Sequence, residues 1–110
     1  MKVAYVFDTS RSHEILSNMI VPQLENHRHG ADVVGMFFFG DNTFLLQKGN
    51  HIAERLSELK KSNNMLLMAC DRCAIERKIE DDLVDGAEIG CFPNLYNALS
   101  QNAPDQVITL

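Results

Sequence analysis

The chain has 110 residues, 45% of them hydrophobic, and a formal net charge of −5 at neutral pH. This length predicts a single domain over residues 1–110, and the hydrophobic content is sufficient for a core. The negative charge argues against nucleic acid as a main partner, because such binding depends on Lys and Arg neutralising phosphates.

The first predicted element is a β-strand at residues 2–7, "KVAYVF", which ends at Asp8. This run is short, alternates and carries one Lys, which is not typical of a signal peptide. No apolar run approaches the roughly 18 residues of a membrane-spanning helix. Three cysteines in a short chain without a signal peptide indicate reduced thiols, so we expect a cytoplasmic protein with no membrane partner.

A helix is predicted from about residue 12 to about residue 29, because apolar residues recur there at helical spacing. Pro22 lies inside this pattern, so we expect a kink or a break. Gly30 is expected to end the helix. His27 and His29, in its last turn, are interpreted as surface groups and not as ligands.

A second strand is predicted at residues 32–38, followed by a turn that contains Gly40, Asp41 and Asn42. The next three apolar residues are Phe44, Leu45 and Leu46. We expect this exposed apolar turn to pack against the sheet, a lid or a neighbouring subunit. It predicts a homo-oligomer, because a chain of this size cannot easily cover it alone. Residues 51–64 then have the spacing of an amphipathic helix.

Residues 65–78 place a cysteine where a buried strand passes directly into a helix. Residues 65–69 are apolar, as in a buried parallel strand, Cys70 follows them, and a helix is predicted from Asp71. Helix N-termini carry partial positive charge, so we expect the pKa of Cys70 to be lowered. Cys73 is predicted on the same helical face. The alternative is that both are buried core cysteines.

A short fourth strand, "AEIGCF", is predicted to end at Cys91, before a helix that begins at Pro93 and a fifth strand at residues 106–110. The order βαβαβαβαβ predicts parallel strands with helices on both faces. The predicted fold is therefore a three-layer α/β/α domain of flavodoxin or Rossmann type. Its predicted strand order is 2-1-3-4-5, with a switch point between the first and third strands.

The carboxyl edge of such a sheet is the expected functional site. The residues predicted at this edge are Asp8, Ser10, Asp41, Cys70 and Cys91. Strands three and four are neighbours in the predicted order, about 4.8 Å apart. Cys70 and Cys91 should therefore lie near one cleft, with Cys73 a turn below; the alternative is that Cys91 packs behind Phe92. The sequence has no G-x-G-x-x-G or Walker loop that would indicate a nucleotide site.

The chain resembles the DsrE/DsrF-like family, small proteins of sulfur oxidation and sulfur relay. The resemblance rests on the opening strand, on "MFFFGDNTFLLQKGN" before an amphipathic helix, and on "LLMACDRCAIER". It implies that the cysteine matching Cys70 accepts sulfur as a persulfide and passes it on. It also implies assembly into dimers, trimers or hexamers. Cys73 has no counterpart in relay members with one conserved cysteine, so it adds a candidate resolving thiol.

The sequence thus predicts a sulfur carrier or sulfurtransferase-like protein whose partners are sulfur donor and acceptor proteins or small persulfides. Cys73 is predicted to release sulfur from Cys70 by forming a disulfide, or to protect Cys70 from oxidation. Arg72 is predicted to favour the anion, and Asp8 and Asp41 to shape the pocket. The alternatives are that Arg72 is a solvated surface charge and that each Asp caps a loop.

Two alternatives stay open. In the first, the three cysteines supply thiolates to a soft metal ion. In the second, the chain is an oligomeric interaction subunit without turnover. No cofactor is expected in the preferred interpretation.

Overall fold

Five short, mostly apolar strands form one parallel sheet in the computed structural model, which describes residues 1–110. The strands are β1 Lys2–Phe7, β2 Asp32–Phe38, β3 Leu66–Cys70, β4 Ala87–Gly90 and β5 Gln106–Thr109. The helices are α1 Ser12–Ile15, α2 Val21–Glu25, α3 His51–Asn63, α4 Asp71–Glu76 and α5 Phe92–Ser100. A π-helical turn, Leu16–Ile20, joins α1 to α2, and a 3₁₀ helix, Gly40–Leu46, follows β2. No helix is both long enough and apolar enough to span a membrane.

The strands lie in the order β4-β3-β2-β1-β5, and all neighbouring pairs are parallel. The predicted α/β class is confirmed, whereas the predicted order 2-1-3-4-5 is wrong. The connections β1–β2, β2–β3 and β3–β4 each add the next strand on the same side of the sheet. Only the connection from β4 to β5, through α5, crosses back and adds β5 on the other side of β1. Right-handed crossovers in opposite directions place their helices on opposite faces. The reversal therefore lies between β1 and β5 and not between the first and third strands.

The two faces of the sheet carry separate apolar clusters. The larger has 18 buried residues and lies on the face that α2 and α3 cover. The smaller lies under α5 and consists of Phe37, Met68, Cys70 and Leu95. Successive residues of a strand point to opposite faces, so Leu67 and Ala69 enter the larger cluster while Met68 and Cys70 face α5.

The predicted interruption at Pro22 is confirmed and takes the form of the π-helical turn. Leu16–Ile20 ends just before Val21 and Pro22. Proline has no N–H to donate and its ring clashes with the carbonyl four residues earlier, and the wider π turn accommodates both features. The helix ends at Glu25, earlier than predicted, because His27 adopts a left-handed φ of 55°.

The apolar turn after β2 is largely covered by the chain itself. Leu45 and Leu46 are buried in the larger cluster, and only Phe44 is exposed, to 38%. The 3₁₀ helix turns both leucines toward the sheet, which is one of the packing arrangements expected above. The argument for a homo-oligomer from an uncovered turn is therefore wrong.

His29 lies at the opposite edge of the sheet from Cys70, in a small hydrogen-bonded cluster. It is half-buried, whereas His27 is exposed as predicted. Its Nε2 lies 2.7 Å from the Tyr5 hydroxyl and its Nδ1 lies 3.0 Å from Gln23 Oε1. The Gln23 oxygen only accepts, so Nδ1 donates and neutral His29 accepts from Tyr5 through Nε2. Burial lowers the pKa of His29 and raises the pKa of Tyr5.

We expect the free energy of unfolding to fall as the pH is lowered through the ordinary His pKa of 6.5. The folded-state pKa of His29 is depressed, so below 6.5 the folded protein binds fewer protons than the unfolded chain. The stabilisation from neutral His29 is complete above that pH and is lost on acidification. Urea unfolding across this range measures the effect, with His29→Gln as a variant that cannot titrate. An unchanged pH dependence in His29→Gln would assign the effect to other groups.

Candidate functional site

Cys70 is the last residue of β3 and immediately precedes α4, as predicted. At the start of this helix the Asp71 carboxylate accepts a hydrogen bond from the Arg72 backbone N–H at 2.7 Å. A carboxylate suits the positively polarised end of a helix. The Cys70 thiol is only 6% exposed and packs in the α5-side cluster with Met68 and Leu95. The thiol therefore lies in apolar surroundings at the carboxyl edge of the sheet.

Burial raises the pKa of Cys70, so the expected lowering is wrong. The neighbouring Cys73 thiol raises the pKa further. The helix start acts in the expected direction, because the backbone N–H groups of Cys73 and Arg72 lower the pKa. Removal of the thiol from water outweighs this lowering. Cys73 packs against the apolar cluster that contains Cys70, so the two thiols of the C-x-x-C segment lie close together.

Arg77 anchors the second cysteine of this pair to the loop after β2. Its Nη1 donates to the Cys73 carbonyl at 3.0 Å, and its Nε donates to Asp41 Oδ1 at 2.9 Å. The Arg77 side chain is 24% exposed, so the guanidinium is partly shielded from water. Asp41 therefore acts on the thiol site indirectly, by holding α4 against the 3₁₀ helix Gly40–Leu46.

The sequence reasoning missed Arg77. Its spacing of four residues from Cys73 is visible in the sequence, but its partner Asp41 is 36 residues away on another loop. The predicted strand order separated β2 from β3, whereas the two strands are neighbours. The correct strand order makes the pair identifiable, because Arg77 lies one turn beyond Cys73 and Asp41 follows the adjacent strand β2.

A groove along α4 has a volume of about 470 Å³, and neither Cys70 nor Cys73 is among the residues that line it. Its walls are Asp71, Arg72, Ile75, Glu76 and Cys91. Cys70 pairs with Gly90 in the sheet, so Cys91 follows the register partner of Cys70, as predicted from neighbouring strands. Cys91 is half-buried and precedes α5, and its backbone N–H donates to Asn94 Oδ1 at 2.9 Å. The Arg72 side chain is 86% exposed and pairs with Glu76 at 3.6 Å, so only its backbone contacts the Cys70 thiol.

Asp8 and Ser10 are not brought to the thiols. They follow β1, which β2 separates from β3, so two strand spacings, about 10 Å, lie between them and Cys70. Both are exposed, and the Asp8 backbone N–H donates to the Leu110 carbonyl at 2.7 Å. Their predicted place near Cys70 depended on the wrong strand order.

The three cysteines do not form a metal-binding group. No set of three or more His, Cys, Asp or Glu side chains is arranged so that it could hold a metal ion. The alternative of a soft-metal site therefore has no geometric support.

We expect Arg77→Gln to lower the free energy of unfolding by about 1 kcal/mol, because it removes two hydrogen bonds from a charged donor at a partly exposed position. Arg72→Gln is the matched control, since its ion pair is longer and more exposed, and it should lower the free energy by only about 0.3 kcal/mol. Urea unfolding measures both values. Equal effects of the two substitutions would contradict the anchoring role of Arg77.

Three solved structures share this fold over nearly the whole chain. The ychN protein from E. coli aligns with a TM-score of 0.69 at 22% identity, over 99% of this chain and 97% of its own. MTH1491 from Methanobacterium thermoautotrophicum aligns with a TM-score of 0.69 at 12% identity, over 97% of each chain. BT1422 from Bacteroides thetaiotaomicron aligns with a TM-score of 0.71 at 12% identity, over 99% of this chain and 94% of its own. At these identities the likeness establishes the fold.

The sequence profile of one family extends the comparison beyond the fold. No curated protein matches the chain significantly. The profile of the DsrE/DsrF-like family matches residues 1–110. The resemblance noted in the sequence is thereby confirmed, and the chain belongs to the DsrE/DsrF-like family.

Proposed function

We propose that the protein is a sulfur carrier or sulfurtransferase that holds sulfur as a persulfide on Cys70, with Cys73 as its resolving thiol. Membership of the DsrE/DsrF-like family indicates sulfur relay in general terms. The observation that carries the specific proposal is the placement of two thiols one helical turn apart at the start of α4, with Cys73 packed against the apolar cluster that contains Cys70. Two neighbouring thiols at the carboxyl edge of a parallel sheet support exchange of sulfur between them.

The surroundings of Cys70 suit a bound sulfane sulfur. Its apolar neighbours Phe37, Met68 and Leu95 limit access of water and of large reductants. The backbone N–H groups at the start of α4, that of Cys73 foremost, favour negative charge on the sulfur. The outer sulfur then has two exits. A small acceptor thiolate removes it directly, or the Cys73 thiolate attacks Cys70 Sγ, closes a disulfide and expels hydrosulfide.

The groove along α4, the helix that carries Cys73, is the proposed binding place for the donor or acceptor. Arg72 supplies a positive charge to an anionic persulfide, and Cys91 lies in the opposite wall. Asp41 contributes through its ion pair with Arg77. The positions of Asp8 and Ser10 give them no part in this scheme.

Peptide mass spectrometry tests the proposal on protein incubated with inorganic polysulfide and then freed of excess reagent. The Cys70 peptide should gain about 32 Da, one sulfur atom, and Cys70→Ser should retain none at that position. Sulfur found only on Cys91, with Cys70 unmodified in the folded protein, would show that the carrier site is wrongly assigned.

We also propose that the protein forms a homo-oligomer, on grounds other than the apolar turn. On α5, Phe92 is 45% exposed and Tyr96 is 65% exposed, with their ring centroids 6.1 Å apart. Phe92 also contacts Phe39, so an aromatic surface extends from the core to the solvent beside the groove. Sedimentation at micromolar concentration should show more than a monomer, and Tyr96→Glu should weaken the assembly. A protein that stays monomeric at high concentration would end this proposal.

A further inference from the structure

The exposure of the two paired thiols suggests the route that sulfur takes. Cys70 is only 6% exposed and is enclosed by the α5-side cluster, whereas Cys73 is half-buried and packs against that cluster. A persulfide attached to a peptide or protein therefore meets Cys73 more readily than Cys70. Burial also raises the pKa of Cys70, so its thiolate is scarce at neutral pH.

We propose that sulfur is accepted first by Cys73 and is then passed inward to Cys70. This inference deepens the proposed function and rests on it, because it takes Cys70 as the residue that holds the sulfur. Cys73 is then the acceptor that faces the donor, in addition to its role as a resolving thiol.

Both steps are exchanges that consume no oxidant. In the first, the Cys73 thiolate attacks the outer sulfur of an organic persulfide, R–S–SH; a bond to Cys73 Sγ forms, the donor S–S bond breaks, and the donor leaves as its thiolate. In the second, the Cys70 thiolate attacks the same outer sulfur, and Cys73 departs as a thiolate that takes up the proton lost by Cys70. The products are a Cys70 persulfide and a free Cys73 thiol, and the transferred sulfur keeps its oxidation state.

The closeness of the two thiols makes the second step intramolecular. Cys73 lies in the first turn of the helix that follows Cys70 and packs against the cluster that contains it, so the Cys70 sulfur lies near a sulfane sulfur bound to Cys73. Transfer inward moves the sulfur from a half-exposed position to one that large thiols cannot reach. It also regenerates Cys73, which can receive the sulfur again on the way out.

The test compares initial rates of loading by glutathione persulfide, a donor too large for the Cys70 surroundings. Wild type, Cys73→Ser and Cys70→Ser are sampled over time, and the added sulfur is located by peptide mass spectrometry. Cys73→Ser should load Cys70 at least about tenfold more slowly than wild type, because the intramolecular route is lost. Cys70→Ser should gain sulfur on Cys73 at the wild-type rate and lose it readily to added glutathione.

Loading in concentrated urea is the matched control. Without burial, Cys70 should load at the same rate in wild type and in Cys73→Ser. Cys73→Ala, which introduces no hydroxyl, is a second variant in case the serine protein fails to fold. It should show the same slow loading of Cys70 in the folded state.

The outcomes separate the inference from the function on which it rests. A wild-type rate for Cys70 loading in folded Cys73→Ser or Cys73→Ala would overturn the route while leaving Cys70 as the carrier. Equally slow loading of Cys70 in Cys73→Ser in urea would also overturn the route, since limited access to the buried Cys70 would then not be the cause. Failure of wild type to hold any sulfur on Cys70 would reject the proposed function itself.

Discussion

A persulfide on Cys70 should last at least about tenfold longer in Cys73→Ser than in wild type. In wild type the Cys73 thiol lies one helical turn from Cys70 and packs against the same cluster, so its thiolate can attack the inner sulfur, expel hydrosulfide and close a disulfide. A serine hydroxyl at that position is not a nucleophile for sulfur. Both proteins are loaded to the same content by long incubation with inorganic polysulfide, and persulfide loss and disulfide formation are then followed together.

A structural role for Cys73 predicts a different result. If Cys73 only fills space, the serine places a hydroxyl in partly apolar surroundings and lowers the free energy of unfolding by about 1–3 kcal/mol. The persulfide lifetime would then stay unchanged while the melting temperature falls, and this combination would contradict the resolving role. Cys91→Ser makes the same atom exchange at the thiol that precedes α5, outside the C-x-x-C segment, and should leave the lifetime as in wild type.

The bounds of the strands were predictable because local patterns set them. The predicted second strand, residues 32–38, coincides with β2, and the predicted turn into a helix after Cys70 is present. Asn64 ends α3 with a left-handed φ of 51°, close to the expected stop. Apolar runs, capping residues and turn residues all act within a few positions of the chain.

The order of the strands was not predictable in the same way, because no local pattern specifies it. Strand patterns of similar composition are compatible with several doubly wound orders, and packing of the whole sheet selects one. This single error placed Asp8 and Ser10 beside Cys70, where they do not lie, and concealed the pairing of Asp41 with Arg77. It left Cys70 and Cys91 correctly placed, because β3 and β4 are neighbours in both orders.

The pKa of Cys70 illustrates a second limit of sequence reasoning. The helix start is a local feature and was correctly foreseen, with backbone N–H groups that favour the thiolate. The opposing effect comes from residues distant in the chain, Phe37 of β2 and Leu95 of α5, which enclose the thiol. Desolvation depends on tertiary packing, and it reversed the direction of the shift.

Gly90→Ala should lower the free energy of unfolding by about 1–3 kcal/mol, because β4 and α5 leave no room for a methyl group. Gly90 is buried and is the register partner of Cys70, and a Cβ built on it would lie 2.8 Å from the Cβ of Asn94. Asn94 cannot withdraw easily, since its Oδ1 accepts the hydrogen bond from the Cys91 backbone that fixes the start of α5. The methyl group should therefore push the first turn of α5 away from the sheet and open the cover over Cys70.

Urea unfolding and iodoacetamide labelling of Cys70 test the two parts of this prediction together. Gly35→Ala is the matched control, because Gly35 is the other glycine without a positive φ and its nearest contacts, at 3.3 Å, are side-chain atoms of Leu66 and Leu99. It should destabilise the protein less and leave Cys70 protected, since Gly35 lies in β2 away from the start of α5. Gly90→Ala should lose stability and label faster at Cys70. Equal stability of the two variants, with Cys70 equally slow to label in both, would show that the start of α5 does not keep this thiol from solvent.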